Sequence, residues 1–317
     1  MSSLGTTLLP DATAATTHDR EETISRVDQI AVFFAIVIPF AGLVAAVALM
    51  WGSGVDWVNL ALLVGMYSVT AVGITTGFHR LFTHRSFEAH PVVRCVLAIF
   101  GSMAVQGPIF NWVSMHRQHH QHSDEPEDPH SPHHSGSGVL GFLRGFYHAH
   151  IGWAFGDSTY NVNRYAKDLV QSRALRIINT LFPLWVVIGL LIPTVTGGLV
   201  AGSWNGALLG FLWGGMVRIF FVHHVTWSVN SACHIWGNRP YESGDLSRNN
   251  LLFGILAFGE GWHNNHHAFP TSARHGLRWW QLDLAYLSIC VLKWLGLAWD
   301  VKLPSEAALA RSARPAR

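Results

Sequence analysis

Stretches 30–50 and 57–77 contain no charged residue, and each is long enough to cross a bilayer, which takes about 20 apolar residues. Helices satisfy their own backbone polar groups in lipid, so such stretches confine the chain to membrane helices. Stretches 177–195 and 204–225 read as a third and a fourth span, with Arg218 marking the inner half of the fourth. Composition agrees: only 13% of the 317 residues are charged, against about a quarter in soluble domains. The expected fold is an all-α integral membrane protein with four transmembrane helices. Two further apolar stretches, 92–112 and 282–299, are interrupted by Arg94, Gln106 and Pro108 or carry Asp283 and Lys293. They are expected to be membrane-surface or cap helices.

The connections sort by charge. Loops 52–56 and 196–203 hold no Lys or Arg. Apart from Arg218, every basic residue lies before the first span, between the second and third, or after the fourth. The positive-inside rule then places both termini and the long middle segment in the cytoplasm. Residues 1–29 are polar and lack a basic, then apolar, leader, so they read as a disordered cytoplasmic tail and not a signal peptide. A single domain is expected over 30–302, with a second loose tail at 303–317. A net charge of +2 gives no reason to expect nucleic acid, and Cys95, Cys233 and Cys290 form no paired motif. The preference for Arg over Lys fits a GC-rich bacterial genome, hence a bacterial cytoplasmic membrane.

With this sidedness, three histidine clusters reach one face of the membrane: His79 and His84; His116, His119 and His120; His263, His266 and His267. His234 lies one helical turn after Asn230 and brings the histidines to nine. In each HxxHH the first residue lies three and four positions from the others, and on a helix those positions share one face, so two imidazoles can meet one ion. Adjacent histidines diverge by about 100°, so neighbours can address two ions. Nine imidazoles exceed the needs of one ion, so two metals are expected, of a kind that imidazole suits. His79 and His84 are five apart, and either close a helix end together or divide between the two ions. Asn230 adds a polar partner, acting through water.

Asp124, Asp128 and Glu260 are candidates to orient ligand imidazoles, since a metal-bound His usually donates its other nitrogen to a carboxylate or carbonyl. His122, His130, His133 and His134 lie in a Pro-rich loop, solvated or supporting the ligands, and loss of His133 or His134 is expected to leave activity normal. His148, His150, His223, His224 and His275 lack partners at useful spacing and read as structural. The chain has no P-loop, dinucleotide fingerprint or GxSxG. Any electrons must come from an external donor.

Gly77-Phe-His-Arg-Leu-Phe-Thr-His84, His116-Arg-Gln-His-His120 with Asp128-Pro-His130, Asn230-Ser-Ala-Cys-His234 and Gly259-Glu-Gly-Trp-His-Asn-Asn-His-His267 together resemble the membrane fatty acid desaturases, in particular the acyl-CoA delta-9, stearoyl-CoA desaturase-like branch. The resemblance runs from about Thr75 to about Trp299. It implies a fold that adds a cytosolic helical cap to the four spans, and in that cap two non-haem irons held by the nine histidines, with Asn230 contacting one through water. It also implies dioxygen, a ferredoxin-, rubredoxin- or cytochrome-type donor with its reductase, and a cis-9 double bond placed in a saturated C16 or C18 acyl chain. Animal members carry charged residues before the second box that help hold CoA, where this chain has Ser114 and Met115. The carrier expected is still CoA, because 260–274 follows that branch, with a lipid or carrier protein as alternatives. The rival readings are a histidine-rich alkane, sterol or carotenoid hydroxylase and, from another class, a metal-binding or metal-transporting membrane protein.

Overall fold

The computed structural model describes residues 22–23, 25–51, 56–156 and 159–315. Among these, four helices are long and apolar enough to cross a membrane: span one (Arg26–Met50), span two (Trp57–Thr83), span three (Phe182–Ala201) and span four (Trp204–His234). Spans two and four form the inner pair. The most apolar window of span four is 61% buried, against 17% for spans one and three, which pack on span four from outside. Expected residues 1–21 and the loop at 52–55 lie outside the described residues.

Several boundaries differ from expectation; spans two and four run on to Thr83 and His234, past the expected ends at 77 and 225. Span one starts at Arg26 because Ser25 and Asp28 form a capping box, the Asp28 amide donating to Ser25 Oγ and the Ser25 amide to Asp28 Oδ2, both at 3.2 Å. The expected N-terminal tail is therefore ordered from residue 25. Span three covers 182–201 and not 177–195. Residues 177–180 finish a separate helix, Arg173–Thr180, and Pro183 favours a new start within the first turn. At its far end nothing stops the helix until Gly202 takes φ +58°, after which Ser203 Oγ caps the next helix through the Gly206 amide at 3.1 Å. The expected loop 196–203 shrinks to the turn of a helical hairpin. Finally, the expected tail at 303–317 contains a helix, Glu306–Ser312, capped by Ser305 and pinned by the backbone bonds Glu242 N to Ser312 O (2.8 Å) and Arg314 N to Pro240 O (2.9 Å).

Spans two and four outlast the bilayer. At a rise of about 1.5 Å per residue they run roughly 40 Å or more, against a hydrocarbon core of about 30 Å. Their histidine-bearing ends project on one side into a cap that includes α1 (Pro91–Ser102), α2 (Ile109–His122), α3 (Gly138–His150), α4 (His263–Ala268) and α5 (Leu284–Trp294). The stretches 92–112 and 282–299 thus supply short cap helices and no extra span. Gly73 of span two lies so close to the Phe100–Gly101 backbone of α1 that a Cβ there would overlap it.

Two buried arginines organise the two layers. Arg218 in span four is fully buried and donates to the carbonyls of Met103 (2.6 Å), Gly189 and Gly214 (both 3.2 Å), which is how an intramembrane cation is tolerated. Arg80, at the end of span two, pairs with Asp283 (2.8 Å) and Glu260 (3.2 Å) and donates to the Ala273 carbonyl (2.8 Å), clamping the C-terminal cap onto the span.

Candidate metal centre

The last turns of span two, Gly73–Thr83, are wound as a π-helix, whose hydrogen bonds run from residue i to i+5. The bond from His84 N to His79 O (3.1 Å) has that spacing. Residues five apart then face the same way, so His79 and His84 meet on one side instead of dividing. On α2, His116 and His120 share a face, while His119 turns away. On α4, His263 and His267 share a face, while His266 turns away. Span four ends in His234.

These local geometries sort all nine histidines into two groups. Ligand atoms of His79, His84, His116, His120 and His266 lie within 4.8 Å of one another, as do those of His119, His234, His263 and His267. In the first group the Nε2 atoms form a chain of close neighbours: His84 to His79 3.1 Å, His79 to His266 3.1 Å, His266 to His120 2.9 Å and His120 to His116 3.2 Å. An imidazole nitrogen offers one in-plane site, either a proton or a lone pair. His79, His266 and His120 each face two nitrogens and cannot satisfy both. A cation among them can, and neighbouring ligands at right angles with bonds of about 2.1 Å would sit roughly 3.0 Å apart. In the second group His234 Nε2 is 3.0 Å from His263 Nε2, while the buried Nε2 atoms of His119 and His267 have no partner among the described residues. Both sets fit a metal ion by this test.

Protonation agrees. Burial, and then the neighbouring imidazoles, hold His84, His116, His120, His263 and His266 well below the ordinary histidine range, which keeps their lone pairs free. Carboxylates fix the opposite ring nitrogens. His119 Nδ1 lies 2.9 Å from Asp128 Oδ1, His234 Nδ1 lies 2.8 Å from Asp124 Oδ2, and His267 Nδ1 contacts Asp245 Oδ2. Glu260 Oε2 lies 2.7 Å from His79 Nδ1 and 3.0 Å from His275 Nδ1. Burial would raise Glu260, but His79, Arg80 and His275 outweigh it and hold the carboxyl well below its usual range. Gly259 takes φ +110°, and a Cβ there would strike Asp283, so the turn that delivers Glu260 requires glycine.

Asp124, Asp128 and Glu260 thus stand where the sequence suggests. Asp245 and His275 are the residues that sequence reasoning misses. Neither lies at helical spacing from a histidine box, and both arrive through the fold. The His275 ring packs on His266, with centroids 4.3 Å apart. Within the Pro-rich loop, His130 is buried against His119 (4.3 Å between centroids), His133 Nε2 reaches the His234 carbonyl at 3.2 Å, and His134 is exposed. His133 is exposed as well, and His134 makes a comparable contact, its Nε2 lying 2.8 Å from the Asp124 carbonyl. His148, His150, His223 and His224 join neither group.

Both groups open on one cavity of about 700 Å³, lined by His79 and His116 of the first group, and by His263 and Asn230 beside the second. The rest of its wall is mainly apolar. A polar strut crosses it: Trp112 Nε1 donates to Gln106 Oε1 (3.2 Å) and Gln106 Nε2 donates to Thr226 Oγ1 (2.9 Å). Tyr67 and Ala71 of span two also line it.

A family model described as fatty acid desaturase matches residues 55–289. The chain is 47% identical over 271 residues to a hex-5-enoyl-[acyl-carrier protein] acetylenase of Moorena producens, covering 85% of this chain and 84% of that one. It is 38% identical over 262 residues to an sn-1 stearoyl-lipid 9-desaturase of Synechocystis sp. (81% and 76% covered). It is 40% identical over 275 residues to an acyl-CoA C20 Delta5-desaturase of Anemone leveillei (85% and 82% covered). With paired histidine groups facing an apolar cavity above four membrane helices, and with relatives of this similarity along most of its length, the chain belongs to the fatty acid desaturase family.

Proposed function

We propose that the protein is a dioxygen-dependent desaturase that forms a cis double bond, at carbon 9 of a saturated C16 or C18 acyl chain, with two irons and external electrons. The observation that carries this reading is the sorting of nine imidazoles into two groups over one apolar cavity. His79, His84, His116, His120 and His266 would hold one iron. His119, His234, His263 and His267 would hold the other, with Asn230 contributing through water. Bound iron would supply the activation of dioxygen. The balance is –CH2–CH2– + O2 + 2 e⁻ + 2 H⁺ → –CH=CH– + 2 H2O, so two electrons must come from a ferredoxin-, rubredoxin- or cytochrome-type donor.

The chain's own residues would fix the outcome. The Trp112–Gln106–Thr226 strut would bend the acyl chain beneath the histidines, favouring the cis product. Tyr67, whose hydroxyl donates to the Leu256 carbonyl at 2.7 Å, would stop the methyl end and so limit chain length. Charge sidedness supports a cap in the cytoplasm. The carrier expected from the resemblance is CoA, and it is here that the relatives diverge, since their names cite an acyl-carrier protein, an sn-1 stearoyl-lipid and CoA. Expression in a desaturase-deficient host, with mass spectrometry of fatty-acid methyl esters, tests the reading. A new cis-9 monounsaturated C16 or C18 ester is expected. Hydroxylated esters with no new double bond would overturn it in favour of a hydroxylase.

A further inference from the structure

We infer that the acyl chain enters the cavity sideways from the bilayer, between spans one and three, and that the substrate is a chain still esterified to a membrane glycerolipid. This rests on the reading above that the cavity is the acyl site.

Of the described residues lining the cavity, four are exposed: Asp28 and Ala31 on span one, Pro183 and Val187 on span three. All the others are buried or half-buried, so these four mark the mouth. Spans one and three both pack on span four, which leaves the gap between them as the open side. The mouth lies within the first two turns of each helix, about 8 Å from its start. That is the depth at which lipid headgroups give way to acyl chains. Beside it the outer helix faces carry exposed Phe34 and Leu184, suited to lipid. The same cavity is lined by Met115 and Trp112, by His79, His116 and His263, and by Tyr67 of span two.

Charge points to the same substrate. Among the described residues the lining includes Asp28 and Glu260 but no Lys or Arg. A CoA or phosphopantetheine thioester would bring phosphates to a mouth whose one charge is negative, whereas phosphate sites are built from cations. A glycerolipid can leave its headgroup at the membrane surface and present only the neutral ester and its chain.

The test uses the iron-loaded protein in nanodiscs with reductant and dioxygen. Three labelled substrates are offered: phosphatidylglycerol with an isotope-labelled stearoyl chain, stearoyl-CoA and stearoyl-acyl-carrier protein. Intact products are read by mass spectrometry. Unsaturation of the intact labelled lipid is expected. Ala31→Trp and Val187→Trp should each lower lipid turnover about tenfold or more, with iron retained, and Phe34→Trp should not. Ala31→Cys, alkylated with a bulky maleimide after folding, repeats the block without relying on the folding of a Trp variant. Desaturation of a thioester but not of the lipid would overturn the inference and leave the desaturase reading intact. Undiminished lipid turnover in the alkylated protein would overturn the portal. No unsaturated product from any of the three would defeat the desaturase reading and this inference with it.

Discussion

The two histidine groups are built from the same parts with the roles exchanged. The five-histidine group takes the i, i+4 pair of α2 and the odd histidine of α4. The four-histidine group takes the i, i+4 pair of α4 and the odd histidine of α2. Each is completed from a span, by His79 and His84 from span two or by His234 from span four. Their surroundings differ. In the four-histidine group every side chain is buried, and three of the four imidazoles rest on a carboxylate. In the five-histidine group His84, His116 and His120 are only half-buried, and His79 alone meets a carboxylate. The group with fewer imidazoles thus has more negative charge behind them, which raises ligand basicity and holds the rings in place. The group with more imidazoles is secured by number.

The largest effect expected is on the ligands themselves. His266→Ala and His267→Ala should each abolish turnover and lower bound iron from two per chain toward one, as read by elemental analysis, with the spans still inserted. Full activity in either would end the two-group assignment. Next come the carboxylates. Asp128→Asn or Asp245→Asn should weaken iron binding at the four-histidine group by about 10–100-fold. Glu260→Gln, which touches one ligand of five, should cost less. A chelator titration of the three variants measures the difference, and equal losses would erase the distinction drawn here. In the unmodified protein the half-buried group should release its iron to a chelator first, giving a two-phase release curve; a single phase would show that exposure does not govern loss. The smallest effects separate two loop residues. His134→Ala, which removes a contact to the Asp124 carbonyl, should leave iron content unchanged, whereas His133→Ala, which removes a contact to the carbonyl of His234 itself, should speed iron release from the four-histidine group alone.

How much of this was legible in the sequence depends on how far each signal reaches along the chain. That each HxxHH can bring two imidazoles to one ion, while its adjacent pair diverges, follows from helix geometry over a few residues; that the pairs are His116 with His120 and His263 with His267 is settled by the fold. The spans follow from composition over about twenty. Asp124 and Asp128 lie within eight residues or so of a box and were within reach. Asp245 was not, because only the fold brings it to His267; His275 lies as near its box as Asp128, but a lone histidine there gives no sign of the Glu260 and His266 contacts it makes. The shift of span three had a local cause, a proline at its start and an uncharged run at its end. In the last residues, Ala and Arg did not look different from a loose tail, yet backbone bonds to Pro240 and Glu242 hold them.

The wider winding of span two carries one more consequence. His79 and His84 converge only because their spacing of five matches a helix whose bonds also span five. Spacing and pitch are thus a matched pair, like a thread and its nut. If Leu81 were deleted, the two histidines would stand four apart and would converge again only if the segment relaxed to an ordinary α-helix. If the segment relaxed without the deletion, the span would still cross the membrane, but its two imidazoles would point about 140° apart.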